Sequence, residues 1–197
     1  MCGRYEIDSQ LAYEIEELAL ELGIEYSSFP MRNGEIYPTD TVPVLISKNN
    51  QLKLELLKWG FPNSKDGKTI INARQETVEE KVMFRESFLF RRCVIPASGF
   101  FEWNKNKEKI YFTVPEDTAM YMAGICSVIE NELRFVIVTT SGNSSIADVH
   151  DRMPLLLSKD QIKSWILKEE EAKNILQQIP CLLNRSSDYE QQTLDFL

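Results

Sequence analysis

Histidine is almost absent from this 197-residue chain, and its cysteines are few and scattered. His150 is the only histidine, and the four cysteines show no C-x-x-C spacing; they are Cys2, Cys93, Cys126 and Cys181. A structural zinc site needs four Cys or His ligands at short spacings, so the sequence predicts no metal site, and it points to no cofactor. Disulfides are rare in cytosolic proteins.

Long hydrophobic runs are also missing. No stretch approaches the roughly 20 apolar residues that cross a bilayer, and no basic segment followed by an apolar run opens the chain. We therefore expect a cytoplasmic protein with no membrane contact. With 43% hydrophobic residues, one domain over residues 1–197 with a full core is expected, and its tail from about residue 181 is polar and loosely specified.

Basic residues are fewer than acidic ones. The formal net charge is −8, which argues against indiscriminate binding of nucleic acid. Seven acidic and no basic residues lie between Glu6 and Glu25, whereas four arginines lie within residues 74–92. Such a division is compatible with one localised phosphate site, although charge runs more often only solvate a surface.

The hydrophobic pattern predicts mixed secondary structure. A helix is expected from Asp8 to Leu22, with Gly23 ending it. Further helices are expected at Glu76–Phe84, Lys159–Lys168 (capped by Ser158) and Glu170–Gln178. Strands are expected at Thr41–Ser47, Leu52–Trp59, Arg92–Ile95, Phe100–Trp103, Ile110–Val114, Met120–Ile129 and Leu133–Thr140. The sequence thus predicts one α+β domain, with a curled, mostly antiparallel β-sheet as a barrel-like core and helices around it.

Cys2 has the most distinctive chemistry, because the initiator methionine is normally removed before a small residue. The mature chain would then begin with a cysteine that carries an α-amine and a thiol on adjacent carbons. The α-amine has a pKa of about 7.7–8.0, so part of it is unprotonated at neutral pH. It can attack an aldehyde to give an imine, onto which the thiol closes a thiazolidine ring. On this dipeptide alone, a small apolar residue of the first strand is the better interpretation of Cys2.

Glu102 is the second candidate. It lies between Phe101 and Trp103 on a predicted strand, where loss of water would raise its pKa toward the range useful for proton transfer. Strict alternation puts Glu102 on the same face as Phe100. A glutamate on a solvent-facing strand edge is an equally good interpretation of this segment.

His150 is the only side chain whose ordinary pKa lies near neutrality. A lone histidine is more often structural than catalytic, although Asp151 and Arg152 can orient or charge it. Asn72 and Arg74 follow a strand-like run and fit either a turn with a surface ion pair or a phosphate site, since arginine offers a planar pair of donors.

Five segments together resemble one family, the SOS-response-associated peptidase (SRAP) family of abasic-site processing proteins. The segments are M-C-G-R-Y at 1–5, I-N-A-R-Q-E-T at 71–77, R-R-C-V-I-P-A-S-G-F-F-E-W at 91–103, V-I-V-T-T at 136–140 and V-H-D-R-M-P at 149–154. Each alone is a weak signal, but all five occur in the family's order across residues 1 to about 157.

The resemblance implies that Cys2 links covalently, as a thiazolidine, to the aldehyde of an abasic site in single-stranded DNA. It implies that Glu102 is the acid and base that opens the deoxyribose and protonates the departing hydroxyl. His150 would assist imine chemistry and reversal, and Asn72 would hold the Cys2 terminus and the sugar. The implied DNA contacts are Arg4, Arg74, Pro38 and Thr139.

The resemblance also implies two accessory activities. Removal of Met1 is implied to be autocatalytic through Glu102 and His150, although an ordinary methionine aminopeptidase would suffice here. An imine at C1′ can also drive β-elimination, which is a lyase activity. Nothing in the sequence calls for an obligate protein partner, and a monomer is expected.

The chain departs from the family pattern in two places. Family members often carry a Trp-rich loop after a W-G-x-x-P segment, but residues 63–67 contain no aromatic residue. Stacking on aromatic side chains is worth about 1–3 kcal/mol per base in single-strand binding, so this loss bears on DNA affinity. The asparagine common just before the family's proline turn is Glu35 here.

Two other functions fit parts of the sequence. Amidohydrolases with an N-terminal cysteine nucleophile also begin Met-Cys-Gly, but they continue with an apolar residue and a further glycine where this chain has Arg4-Tyr5. A non-catalytic single-strand-binding domain is the other alternative, against which the sequence pI of about 4.9 argues.

Overall fold

The computed structural model describes residues 2–24, 33–63, 67–115 and 119–187, and strands dominate them. The α-helices are α1 (Ser9–Leu22), α2 (Val82–Phe90), α3 (Gln161–Leu167) and α4 (Glu169–Leu176), and a 3-10 turn covers Gln75–Thr77. The strands are β1 (Tyr5–Ile7), β2 (Gly34–Ile36), β3 (Thr41–Lys48), β4 (Gln51–Trp59), β5 (Phe61–Pro62), β6 (Thr69–Ile70), β7 (Asn72–Arg74), β8 (Arg92–Ala97), β9 (Gly99–Trp103), β10 (Lys109–Thr113), β11 (Met120–Ile129), β12 (Glu132–Ser141), β13 (Arg152–Pro154), β14 (Leu156–Leu157) and β15 (Asn184–Ser187). Among the helices described, none is long and apolar enough to cross a membrane.

Five strands close into a barrel. β12 pairs with β4, β4 with β3, β3 with β8, β8 with β11, and β11 again with β12. Only the β4–β12 pairing of this ring is parallel, with Arg134 beside Lys58 and Phe135 beside Trp59. Closure leaves no exposed strand edge in the ring. The predicted α+β class and barrel-like core are confirmed.

A second sheet, of order β15-β10-β9-β1-β2, carries the N-terminus. Its inward face is mostly apolar, and its most deeply buried side chains, at most 1% exposed, are Tyr5, Ile7, Ile36, Phe100 and Phe112. The Tyr5 ring packs on Trp59 of the barrel, with 5.1 Å between ring centroids. Aromatic packing therefore fixes the N-terminal strand against the barrel.

The chain passes from the barrel to the second sheet at Ser98. The Ser98 backbone N–H donates to the Glu6 carbonyl at 2.9 Å, and its Oγ accepts from the Asp8 N–H at 2.9 Å. Only glycine fits at the next position, because a Cβ on Gly99 would lie 2.5 Å from the Phe112 carbonyl oxygen. The crossing thus holds the end of β1 and the capping residue Asp8, just before α1 begins.

The first helix forms as predicted, within one residue. The Asp8 carboxylate accepts from the Leu11 N–H at 2.8 Å and caps the start of α1, and Gly23, at φ 64°, ends it in the left-handed region. One stripe of the helix is buried: Leu11, Ile15, Leu18 and Ala19.

Two helix predictions need correction. The helix expected at Glu76–Phe84 is wrong: a 3-10 turn and a connecting turn occupy its first half, and α2 begins only at Val82, where Phe84 and Phe88 supply a buried stripe. α3 begins at Gln161, and the predicted Ser158 side-chain cap is wrong. Instead the Gln161 Oε1 accepts from the Ser158 backbone N–H at 3.1 Å.

Some sequence features lie outside the described residues. They are Met1, Glu25 of the acidic run, residues 64–66 of the segment in place of the Trp-rich loop, and residues 188–197 of the expected tail.

Candidate active site

Cys2 is fully buried just before β1. β1 runs antiparallel to β9, and the Phe101 N–H donates to the Arg4 carbonyl at 2.9 Å. The residues before Arg4 therefore continue alongside Glu102, which follows Phe101 on β9. The Cys2 Sγ lies 3.8 Å from the Arg4 carbonyl oxygen. Strand pairing thus brings the thiol and the carboxylate together from 100 residues apart in the chain.

Burial, and then the negative charge of Glu102, raise the pKa of the Cys2 thiol well above its usual range. The thiol therefore stays protonated at neutral pH. Because the thiolate is the reactive form of cysteine, this sulfur is poorly suited to make a first attack on its own.

Glu102 faces the interior with 4% of its surface exposed. It shares this face of β9 with the fully buried Phe100, as alternation predicts. The alternative of a solvent-facing edge is wrong, because β1 and β10 flank β9 on its two sides and Glu102 pairs with Ile110. A buried carboxylate beside Cys2 is placed to exchange protons with a group bound there.

Asn72 connects the barrel to Cys2. Its Nδ2 donates to the Cys2 carbonyl oxygen at 3.0 Å. Because that carbonyl can only accept, the contact fixes the amide orientation. The Asn72 Oδ1 is buried and accepts no hydrogen bond from any described residue. This oxygen can accept from the Cys2 α-amine or from a substrate hydroxyl.

Parallel pairing of β7 with β12 sets Arg74 beside Thr139. Thr139 is fully buried, and its Oγ1 donates to the Ala73 carbonyl at 3.5 Å. Arg74 alternates with Ala73 and is exposed. Thr139 therefore holds β7 in place, while Arg74 presents its guanidinium to solvent.

His150 lies in the turn before β13, with about a quarter of its side chain exposed. Its Nδ1 accepts from the Arg152 backbone N–H at 2.9 Å, so this geometry assigns the proton of the neutral ring to Nε2. The Asp151 Oδ1 lies 2.9 Å from the same Nδ1 and can accept from it when the ring is charged. Local contacts thus orient His150 in both protonation states.

An ion pair between buried Arg152 and half-exposed Glu76 joins two of the sequence motifs. Arg152 is 8% exposed and donates to both carboxylate oxygens of Glu76. It also donates to the Thr139 carbonyl at 2.6 Å. The pair fixes the backbone that carries His150 and Thr139. Sequence reasoning noted the Glu76 carboxylate at the end of the strand-like run in the I-N-A-R-Q-E-T segment but gave it no role.

The hydrogen bond from Arg152 lowers the pKa of Glu76. A lowered folded-state pKa adds stability above the unfolded pKa of about 4.3, and this stability is lost as the pH falls through the folded value. Glu76→Gln should therefore lower the free energy of unfolding by about 1 kcal/mol at pH 7, a modest value because Glu76 is half exposed. Urea unfolding should show the difference shrinking below about pH 4. The exposed Glu80→Gln is the control, and a pH-independent difference would contradict the ion-pair account.

The remaining cysteines make no disulfide within the described part of the chain. Cys93 and Cys126 are buried, and Cys181 is exposed. No group of three or more His, Cys, Asp or Glu side chains is arranged to hold a metal ion in residues 2–24, 33–63, 67–115 and 119–187.

Comparison with known proteins agrees with this arrangement. A family model described as SOS response associated peptidase (SRAP) matches residues 1–193. The chain belongs to the SRAP family. It is 30% identical over 194 residues to the abasic site processing protein YoaM of Bacillus subtilis, covering 91% of this chain and 85% of YoaM. It is 31% identical over 183 residues to the abasic site processing protein YedK of Escherichia coli, covering 88% and 82%.

A solved structure shows the same fold. A protein from Bacteroides thetaiotaomicron superposes with a TM-score of 0.76 at 21% identity, covering 94% of this chain and 91% of that one. At this identity the likeness concerns the SRAP fold alone.

The structure brings some of the residues implied by the SRAP resemblance into one cluster. Cys2, Asn72 and Glu102 meet in the interior, and Arg74 continues from Asn72 to the surface. Arg4 is not extended into solvent, since its guanidinium pairs with Glu35 at 3.0 Å. The other implied DNA contact, Pro38, is partly exposed in the turn after β2.

Proposed function

We propose that this SRAP protein forms a covalent thiazolidine link between Cys2 and an abasic site in single-stranded DNA. The names of its relatives, abasic site processing proteins, support this substrate. The observation that carries the proposal is the convergence at Cys2 of Asn72, as a hydrogen-bond donor to its carbonyl, and Glu102, as a buried charge. Nucleophile, acid–base group and anchor then occupy one place.

Activation is the removal of Met1, which exposes the Cys2 α-amine. Hydrolysis of this peptide bond consumes one water and releases methionine. We propose that the chain can do this itself, with Glu102 and His150 moving the protons, as the family name suggests. A general aminopeptidase gives the same product.

The amine makes the first attack, because the raised pKa keeps the sulfur protonated. Its nitrogen bonds to C1′ of the ring-opened sugar and gives a carbinolamine. Glu102 takes a proton from the attacking amine and returns it to the departing hydroxyl, which leaves as water. Asn72 Oδ1 accepts a hydrogen bond from the amine and aims it at the aldehyde.

Ring closure follows on the imine. The Cys2 Sγ bonds to C1′, and the thiol proton passes through Glu102 to the ring nitrogen. The crosslinked product therefore has the combined mass of protein and DNA minus one water. If closure is slow, the imine permits β-elimination of the 3′ phosphate, which is the proposed lyase activity. His150 would serve the imine steps and their reversal.

The surface around the site would bind a single strand of DNA. Exposed Arg74 would contact a flanking phosphate, and buried Thr139 would position Arg74 through the β7–β12 pairing rather than touch DNA. With damaged DNA as its substrate, the protein would act in the cytoplasm at the nucleoid, as a monomer without an obligate protein partner.

The test uses a single-stranded oligonucleotide in which one uracil has been converted to an abasic site. Denaturing electrophoresis should show a heat-stable protein–DNA band. The same oligonucleotide with a tetrahydrofuran analogue at that position, which has no aldehyde, is the matched control. Equal bands with both, or none with the abasic DNA, would refute the proposal.

A further inference from the structure

Arg4 forms part of a layered stack on the outer face of the second sheet. Its guanidinium carbon lies 4.1 Å from the centre of the Tyr37 ring and 5.1 Å from that of Trp103. The Glu35 carboxylate accepts from Arg4 at 3.0 Å and also pairs with Lys109. Glu35 therefore holds the Arg4 guanidinium against the protein, where its flat group packs on the aromatic rings.

The turn that carries Tyr37 is held firmly in an unfavourable conformation. The Asp40 N–H donates to the Tyr37 carbonyl at 3.0 Å, and the Asp40 carboxylate accepts from the Tyr37 N–H at 2.9 Å. Thr39, a β-branched residue, has φ 77°, in the region that favours glycine. The Thr39 N–H donates to the Trp59 carbonyl at 2.9 Å. Such strain persists where surrounding contacts over-determine a functional conformation.

The stack lies next to the reactive residue. Arg4 is two residues from Cys2, so their Cα atoms are at most about 7.6 Å apart. Tyr37 keeps 41% of its surface exposed. An aromatic ring packed on Arg4 thus reaches solvent near the start of the strand that Cys2 precedes.

We propose that Tyr37, backed by Arg4 and Trp103, stacks on the base that neighbours the abasic site. This inference rests on the proposed function. A base is the fitting occupant because the surface offers an exposed aromatic ring, whose neighbouring guanidinium is held by Glu35 and stacked on the ring instead of reaching into solvent, and every base has a π-face. Residues 63–67 contain no aromatic side chain, so stacking has to come from elsewhere in the chain, and Tyr37 offers it.

The test measures equilibrium binding to unreactive DNA, so that it does not depend on crosslinking. Both oligonucleotides carry a tetrahydrofuran abasic analogue, flanked in one by bases and in the other by further baseless spacers. Tyr37→Ala should weaken binding of the base-flanked DNA about fivefold or more, since stacking is worth at least that per base. It should leave the binding of the baseless DNA unchanged.

Two variants sharpen the result. Tyr37→Phe keeps the ring and should bind like the original protein, and Tyr13→Ala removes a more exposed tyrosine on α1 as a control (Tyr13 is 67% exposed). An equal loss on both DNAs would show that Tyr37 only braces Arg4, and no loss on either would also overturn the proposal. Failure of the parent protein to crosslink aldehyde-bearing DNA would instead refute the proposed function and leave this binding result readable.

Discussion

Cys2→Ala should abolish the stable adduct with abasic DNA, because the thiazolidine needs the sulfur. The alanine chain still has an α-amine once Met1 is removed, so it can form an imine but cannot close the ring. Cys2→Ser should behave similarly, since the hydroxyl is a much weaker nucleophile. Denaturing electrophoresis should therefore show no heat-stable band for either variant.

Borohydride separates the two steps of this reaction. It reduces an imine to a stable amine, so both Cys2 variants should give a band only when borohydride is present. They should also cleave abasic DNA more than the parent protein does, since an imine that cannot close persists and eliminates. A heat-stable, borohydride-independent adduct from Cys2→Ala would show that Cys2 is not the linked residue.

Glu102→Gln should slow crosslinking by about 10²- to 10⁴-fold, the usual contribution of a positioned acid or base. The amide keeps the shape of the side chain but can neither take the proton of the amine nor return it to the departing hydroxyl. The rate is measured at saturating DNA. Folding should be retained, because the substitution removes a buried charge, which is costly to bury, and leaves the β9 backbone pairing intact.

The matched control is Glu55→Gln, on β4 of the barrel, where the carboxylate pairs with Lys48 instead of approaching Cys2. It should crosslink at the parent rate. The proton-transfer role of Glu102 is wrong if Glu102→Gln reacts as fast as Glu55→Gln.

Elements with strong local signals could be predicted from the sequence. The predicted ends of β3 and β4 lie within one residue of the observed ones. The signal for this hairpin is a pair of alternating runs on either side of Asn49-Asn50, and both asparagines adopt positive φ. Strand β11 occupies the predicted range Met120–Ile129. These patterns extend over enough residues for their period to be visible.

Short elements gave no such signal. β1, β7 and β13 have three residues each, too few to show alternation, yet they carry or adjoin the site. β15 lies within the part of the chain expected to be a loosely specified tail, and only its pairing with β10 makes it a strand. The parallel contact of β7 with β12 joins segments more than 60 residues apart, and nothing local encodes it.

In the site, too, local features could be predicted from the sequence and long-range contacts could not. Alternation placed Glu102 on the face of Phe100, but only the pairing of β9 with both β1 and β10 shows that this face is buried. The resemblance to SRAP proteins implied a role for Asn72, whereas its bond to the Cys2 carbonyl is a property of the folded chain. Glu35 stood out as a departure from the family, and the structure gives the reason it matters here, which is its pairing with Arg4 and Lys109.

The central claim is most directly tested by the intact mass of the protein after incubation with abasic single-stranded DNA, with and without borohydride. The account predicts loss of Met1, then a mass equal to protein plus DNA minus one water. It also predicts that borohydride leaves this mass unchanged, as expected for a closed thiazolidine. A gain of two hydrogen atoms would identify an imine instead, and Met1-free protein with no adduct would contradict the account entirely.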